Sequence, residues 1–219
     1  MNDRYQARIA VLVAVLLYAA LPQRLTVGPA WVVPALAAVL LVPLVALAPT
    51  KLSTGRLTRA LSIALIAVLN IFNVCSIVLL INDLVNSHAR NHGLSAQELL
   101  EYGGFVWITN VIVFALWFWE LDGDGPFDRD QYPSACATPS IDFLFPQMSV
   151  DPTRVTGIQK NWRPLFLDYL YLSFTNALAV SPTDTLPLTR TAKMLMLAES
   201  LISFVTVALI LARSVNILS

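Results

Sequence analysis

Charged residues are scarce in this chain. They make up 13% of the sequence against 57% hydrophobic residues, about half the charge content of an ordinary soluble domain. A sizeable soluble domain is thereby excluded, and the mean hydropathy of +0.67 points to a bilayer. Excess charge of one sign is also absent. The 14 basic and 14 acidic side chains cancel, so nothing in the balance suggests a nucleic acid partner. Cysteine is nearly missing: Cys75 stands in an apolar run and Cys136 in a polar one, so no disulfide framework is implied and the redox compartment stays undetermined. With two histidines and eight glycines, the chain carries no HExxH pair, no phosphate-cradling glycine loop and no Ser-x-Gly nucleophile elbow. These gaps argue against an enzyme and against a bound cofactor.

What the chain does have is long apolar runs. Ile9–Leu21, Ala30–Ala48, Leu57–Leu84, Phe105–Trp119 and Leu188–Ala212 read as five transmembrane helices, since about 20 apolar residues cross the ~30 Å hydrocarbon core. The first is short and relies on Arg8 and Arg24 snorkelling at its ends. Arg4 and Arg8 ahead of an apolar core also fit a signal peptide. A second apolar run follows Pro22 closely, however, with no soluble domain to export, so the segment is read as a helix. The third run reads as one helix unbroken until near Gly93. Its Asn70 and Asn73, like Asn110 in the next run, must face protein, because polar side chains in hydrocarbon serve mainly to join helices.

Between Leu121 and Arg163 the chain turns polar and rich in Pro and Gly, its one sizeable extramembrane segment. It opens with "DGDGPFDRD", gathering Asp122, Asp124, Asp128 and Asp130. A calcium loop needs an oxygen ligand where Pro126 stands and a glycine where Phe127 stands, so a solvated acidic loop is the expectation. Asp83, His88, His92, Glu98 and Glu101 form the other polar cluster. His88 and His92 are one helical turn apart, a spacing that suits two metal ligands. Two histidines at a membrane surface are more often solvated, and no metal site is assigned.

"NWRPLFLDYLYLSFTNALAV" follows. Pro164 suits the first turn of a helix, and Leu165–Leu178 reads as a helix only about 20 Å long at ~1.5 Å per residue. It enters the membrane and stops partway. Irregular backbone at that depth is tolerated only when buried in protein or lining a wet cavity, so Val180–Asp184 reads as a re-entrant loop. These residues resemble the pore loop of the potassium-channel superfamily, in which an outer helix, a half-spanning pore helix, a filter and an inner helix repeat around a fourfold axis. "VSPTDTLPLT" aligns without gaps to that superfamily's V-G-Y-G-D-x-x-P-x-T pattern: Val180, Asp184, Pro187 and Thr189 match. Tyr171 and Ser173 suit the pore helix, which also carries Asn176. The resemblance covers Phe105–Ala212, about half the chain. The whole chain is also similar to an uncharacterised family of bacterial membrane proteins ending in a "DYLYLSFT" type helix and a terminal span.

The resemblance implies an all-α membrane protein of five transmembrane helices plus a re-entrant pore helix and loop. Residues 1–104 form a three-helix membrane region. Residues 105–219 form a pore-domain-like region, with an acidic loop at 121–163, pore helix at 165–178, filter-like loop at 179–187 and inner helix at 188–212. It also implies a homotetramer, because one pore loop encloses no pathway alone. Potassium selectivity does not carry over. Ser181 and Thr183 replace the filter glycines, Pro182 fixes φ between them, and Ala179 stands where a filter Thr offers its hydroxyl. What remains is a degenerate filter of Ala179, Val180, Ser181, Pro182, Thr183 and Asp184, in which the hydroxyls and Asp184 admit cations and Val180 with Pro182 forms the constriction. Read without the resemblance, the same hydroxyls and Asp184 cap the turn and the following helix, since Asp184 and Thr185 both precede an apolar run starting near Leu188. The expected function is passage of cations or small solutes down their gradient. The alternative is a non-conducting structural or accessory membrane protein that keeps the pore-domain fold.

On the last helix Glu199, Ser203, Thr206, Ile210 and Arg213 recur every three or four residues as one mostly polar stripe. An acid there costs ~3 kcal/mol to insert. Glu199 is therefore expected to line a wet cavity with Ser203, Thr206 and Ile210 and draw in cations, or else to be held by the pore helix or by Asn110. Five alternating spans with a cytoplasmic N-terminus put Arg4, Arg8, Lys51, Arg56, Arg59, Arg129, Arg154, Lys160, Arg163, Arg190 and Lys193 inside and only Arg24, Arg90 and Arg213 outside. The positive-inside rule favours that orientation in a bacterial inner membrane. The pore loop then enters from the cytoplasm, as in ionotropic glutamate receptors rather than potassium channels. Alkaline phosphatase, active only outside the cytoplasm, should be active when fused after Gly28 and inactive when fused after Lys51; the reverse pattern would overturn the orientation.

Overall fold

The most enclosed helix runs through the point at which the sequence divides into two regions. This helix, α4 (Ala96–Leu121), passes unbroken across residues 104 and 105 in the computed structural model. It begins well before the apolar run because Ser95 builds a capping box. Ser95 Oγ accepts the Glu98 N–H at 3.2 Å, and Glu98 Oε2 accepts the Ser95 N–H at 2.9 Å. Two amide donors are satisfied reciprocally, and the helix gains two turns that hydropathy alone does not mark.

Residues 3–29, 31–47, 56–86, 94–126, 141–151, 162–178 and 184–218 are described. Around α4 stand α1 (Asp3–Ala19), α2 (Val32–Leu47), α3 (Arg56–Asn86), α5 (Pro146–Ser149), α6 (Phe166–Leu178) and α7 (Arg190–Leu218). Two-residue strands β1 (Phe143–Leu144) and β2 (Leu186–Pro187) pair antiparallel, Phe143 opposite Pro187 and Leu144 opposite Leu186. Among the described residues three helical stretches are long and apolar enough to cross a membrane: Thr58–Leu84, Gln97–Leu121 and Arg190–Ala212. Tyr5–Ala19 is apolar but shorter.

α4 packs against α1, α3, α6 and α7. Its spanning stretch is 61% buried while that of α7 is 22% buried, so α4 is the core and α7 an outer helix with one face turned away from the protein. Leu197, Leu201, Phe204 and Leu211 are exposed on α7. The polar residues of mid-helix point inward. Asn73 Nδ2 donates to Asn110 Oδ1 at 3.3 Å, and Asn110 Nδ2 donates to Ser203 Oγ at 3.1 Å, joining α3, α4 and α7 in one chain of amides and hydroxyl. Asn73 and Asn110 thus face protein, as expected for polar side chains in apolar helices. Asn70 Oδ1 is buried without a hydrogen-bond partner among the described residues.

One close approach fixes the separation of α4 and α7. A Cβ built on Gly103 would stand 2.4 Å from Ile210 Cδ1 and 2.9 Å from its Cγ1, so the missing side chain lets the β-branched isoleucine sit against the α4 backbone. Gly103→Leu should lower the melting temperature in detergent, by the equivalent of about 1–3 kcal/mol of overpacking. Ile210→Ala in the same chain should restore part of the loss; no recovery would show that the strain lies elsewhere.

Candidate functional site

Two polar clusters hold the helices together, one at an end of the bundle and one at mid-depth. The end cluster is built on Asp122, which follows α4 directly. Gly123 and Gly125 take positive φ of 58° and 99°, a conformation that favours glycine, and turn the chain so that Asp122 lies 1% exposed. Asp122 Oδ1 accepts the backbone N–H of Asp142 at 2.7 Å and of Phe143 at 3.3 Å, while Oδ2 accepts the Tyr169 hydroxyl at 2.5 Å. Asp142 in turn accepts the Thr189 hydroxyl at 2.5 Å, and its carbonyl accepts the Leu188 N–H at 2.8 Å. Thr189 Oγ1 accepts the Ala192 N–H at 3.2 Å and so caps α7. Asp3 completes the cluster, accepting the Trp119 indole N–H at 2.8 Å and the Phe166 backbone N–H.

These bonds set the direction of each helix. The start of α1, the end of α4, the start of α6 and the start of α7 share the Asp3 end. Aromatic rings pack beside the buried Asp122: Phe143 lies 5.1 Å from Phe118, and Phe145 lies 5.3 Å from Tyr169, between ring centroids. The opposite end carries Arg24 against Glu98 at 3.7 Å.

The mid-depth cluster lies between α6 and α7, which run side by side in the same direction. Glu199 is 0% exposed. Its Oε2 accepts from Asn176 Nδ2 at 2.7 Å, its Oε1 is hydrogen-bonded to the Ser173 hydroxyl, and Ser173 Oγ also lies 2.7 Å from the Val111 carbonyl of α4. Asn176 Nδ2 donates a second bond to the Met196 carbonyl at 2.9 Å. The Ser200 hydroxyl lies within 3.2 Å of Asn176 Oδ1.

The polar stripe expected on a pore wall is therefore placed differently. Glu199 and Ser203 are fully enclosed, Thr206 is 3% and Ile210 7% exposed, all within one protomer. They face inward because each polar member finds a partner on its own chain: Glu199 on α6, Ser203 on Asn110, Thr206 on the Ile202 carbonyl at 2.7 Å. Ile210 fills the gap over Gly103. The side chain of Arg213, and Ala179, Val180, Ser181, Pro182 and Thr183, lie outside what is described, whereas Asp184 is described and exposed. Of the pore-helix residues, Ser173 and Asn176 meet Glu199, while Tyr171 is 58% exposed. Tyr171 lines an open apolar groove of about 540 Å³ with Trp107, Ile108, Val111, Ile112, Leu167, Leu170 and Phe174.

Two expectations are corrected. Asp122 is a buried structural acid and not part of a solvated loop, because its carboxylate is consumed by two amides and a phenol. The cap of α7 is Thr189 and not Asp184 or Thr185, because β2 intervenes before the helix begins. Asp128, Asp130, His88 and His92 lie outside the described residues, among which no group of three or more His, Cys, Asp or Glu is placed to hold a metal ion. Sequence reasoning missed Asp142 and Tyr169, which are separated from Asp122 by 20 and 47 positions and carry no local signal. Comparison with protein-family models, curated proteins and solved structures finds no match.

Removing the Tyr169 hydroxyl leaves a buried carboxylate one donor short. Tyr169→Phe should cost about 1.5–3 kcal/mol, the range for hydrogen bonds to charged groups, read as a lowered unfolding midpoint in detergent. A midpoint equal to wild type would remove the phenol from the set of groups that hold the end cluster.

Proposed function

We propose that this chain is a structural or accessory protein of the membrane, built on a pore-loop-like arrangement of α4, α6 and α7 and conducting nothing along its polar stripe. The observation that carries this reading is the enclosure of Glu199 and Ser203 within one protomer. A side chain that lines a permeation path needs water on one side, and these two have protein all round. The outward face of α7, with Leu197, Leu201, Phe204 and Leu211, would surround a fourfold axis with hydrocarbon. Such a face suits lipid or an apolar partner helix.

The same geometry supports the placement in the membrane. At 13 residues α6 is too short to cross, and it begins at the Asp3 end, where α7 also begins. That supports reading α6 as a half-spanning helix. Arg190 and Lys193 lie in the first turn of α7 at this end, which supports a cytoplasmic position for it in a bacterial inner membrane. The reading assigns the chain no reaction and no cofactor.

A second reading, passage of cations or small solutes by a homotetramer, is favoured by one feature. α4 ends, and α6 and α7 begin, at one end of the bundle, the order of outer, pore and inner helix in pore-loop channels. Residues 179–183 would then form the filter with exposed Asp184 at its mouth. Native mass spectrometry and cation flux in liposomes separate the two. The first reading expects flux no greater than in empty liposomes. A stable tetramer whose cation flux falls in Asp184→Asn would overturn it and establish the second.

A further inference from the structure

Ser173 poses a question of proton count. Its oxygen is in hydrogen-bond contact with two acceptors, the Val111 carbonyl at 2.7 Å and Glu199 Oε1, and a hydroxyl has one proton to donate. A carbonyl has none, so the proton between Ser173 and Val111 is the serine's own. The proton between Ser173 and Glu199 then comes from the carboxyl group. Glu199 Oε2 accepts from Asn176 Nδ2 at 2.7 Å, which leaves Oε1 as the oxygen that bears it. We propose that Glu199 is a proton-binding site at the centre of the bundle, occupied at neutral pH, donating from Oε1 to Ser173, which donates onward to Val111.

The surroundings fit an uncharged acid. Asn176 is held in one orientation, its Nδ2 on the Met196 carbonyl at 2.9 Å and its Oδ1 beside the Ser200 hydroxyl at 3.2 Å, so it turns its amide N–H and not its oxygen to Glu199. The titratable groups of the packed elements stand elsewhere. On α4, Glu98, Glu101 and Tyr102 lie in the opening turns and Glu120 at the end. On α6, Asp168 accepts the Leu165 N–H, Tyr169 is bonded to Asp122, and Tyr171 is exposed. α3 carries Arg56 and Arg59 in its first turn with Cys75 and Asp83 further on, α7 carries Arg190 and Lys193 in its first turn and Arg213 near its end, and β2 carries no titratable group. Ser173 and Asn176 are the side chains that act on Glu199, and both are neutral. An ionised carboxylate in that position would have no counter-ion.

Exchange of the proton requires no movement of a helix. When the carboxyl proton leaves, the Ser173 hydroxyl turns from Val111 to Glu199, and the carboxylate keeps two donors, Ser173 and Asn176. The Val111 carbonyl, inside α4, retains its helical partner. A metal ion would need several free oxygens, and the Val111, Met196 and Asn176 oxygens are already engaged.

Infrared difference spectroscopy of the full chain in liposomes, wild type minus Glu199→Gln, tests this from mildly acidic to mildly alkaline pH. The glutamine preserves the pattern of a neutral acid, donating to Ser173 and accepting from Asn176, so this variant should unfold at the wild-type temperature. A protonated-carboxyl C=O band at neutral pH that E199Q removes, and that Ser173→Ala shifts, is the expected result. Carboxylate stretches alone at neutral pH would overturn the proposal. If E199Q fails to fold, glutamate labelled at its carboxyl carbon decides the matter in Glu120→Gln. With Glu98 and Glu101 also changed to Gln, Glu199 is the one labelled glutamate left, so a protonated band there supports the site and its absence overturns it.

Discussion

Hydrocarbon offers a polar group nothing to bond to, and each group left unpaired there costs several kcal/mol. In helices long and apolar enough to cross a membrane, that constraint would fall on every polar side chain. Between apolar helices in lipid there is no hydrophobic driving force to select one packing over another, because a lipid tail is as apolar as leucine. Specific contact falls to the few polar side chains and to close packing. Asn73, Asn110 and Ser203 join three helices in one line. Ser173, Asn176 and Glu199 join α6 to α7 and, through the Val111 carbonyl, to α4. Gly103 supplies a close approach between α4 and the Ile210 side chain of α7.

The end cluster applies the same rule to irregular backbone. Asp122 answers the amides of Asp142 and Phe143, and Asp142 answers Thr189 and Leu188. Segments far apart in sequence are thereby set at one end, and the directions of α4, α6 and α7 follow. The arrangement of this half thus rests on a few carboxylates as much as on helix hydropathy. The functional reading turns on the same fact. Glu199 holds α6 against α7 and is enclosed within the one protomer.

Much of the fold was legible in the sequence. The short helix after Pro164 is visible because an apolar segment of that length cannot cross a bilayer, and α6 is described over Phe166–Leu178. The polar stripe of the last helix is visible from its spacing. Its direction was not. A stripe at helical period reports that some polar environment is needed, and water in a pore or amides on a neighbouring helix satisfy it equally well. The start of α4 was missed for a different reason: Ser95 and Glu98 form a cap in a region where hydropathy is low, and the hydropathy pattern ends the span at Phe105.

By itself the sequence determined that the chain is mostly helical and carries stretches long and apolar enough to cross a membrane, since composition and run length depend on no partner. It also determined which residues needed explanation: three mid-span asparagines, one mid-span glutamate and a cluster of aspartates. Only the tertiary structure decided what answers Asn73, Asn110, Glu199 and Asp122. Asp122 lies 47 positions from Tyr169, and Glu199 lies 26 from Ser173. Pairings over such separations are set by the packing of whole helices, which no local pattern encodes.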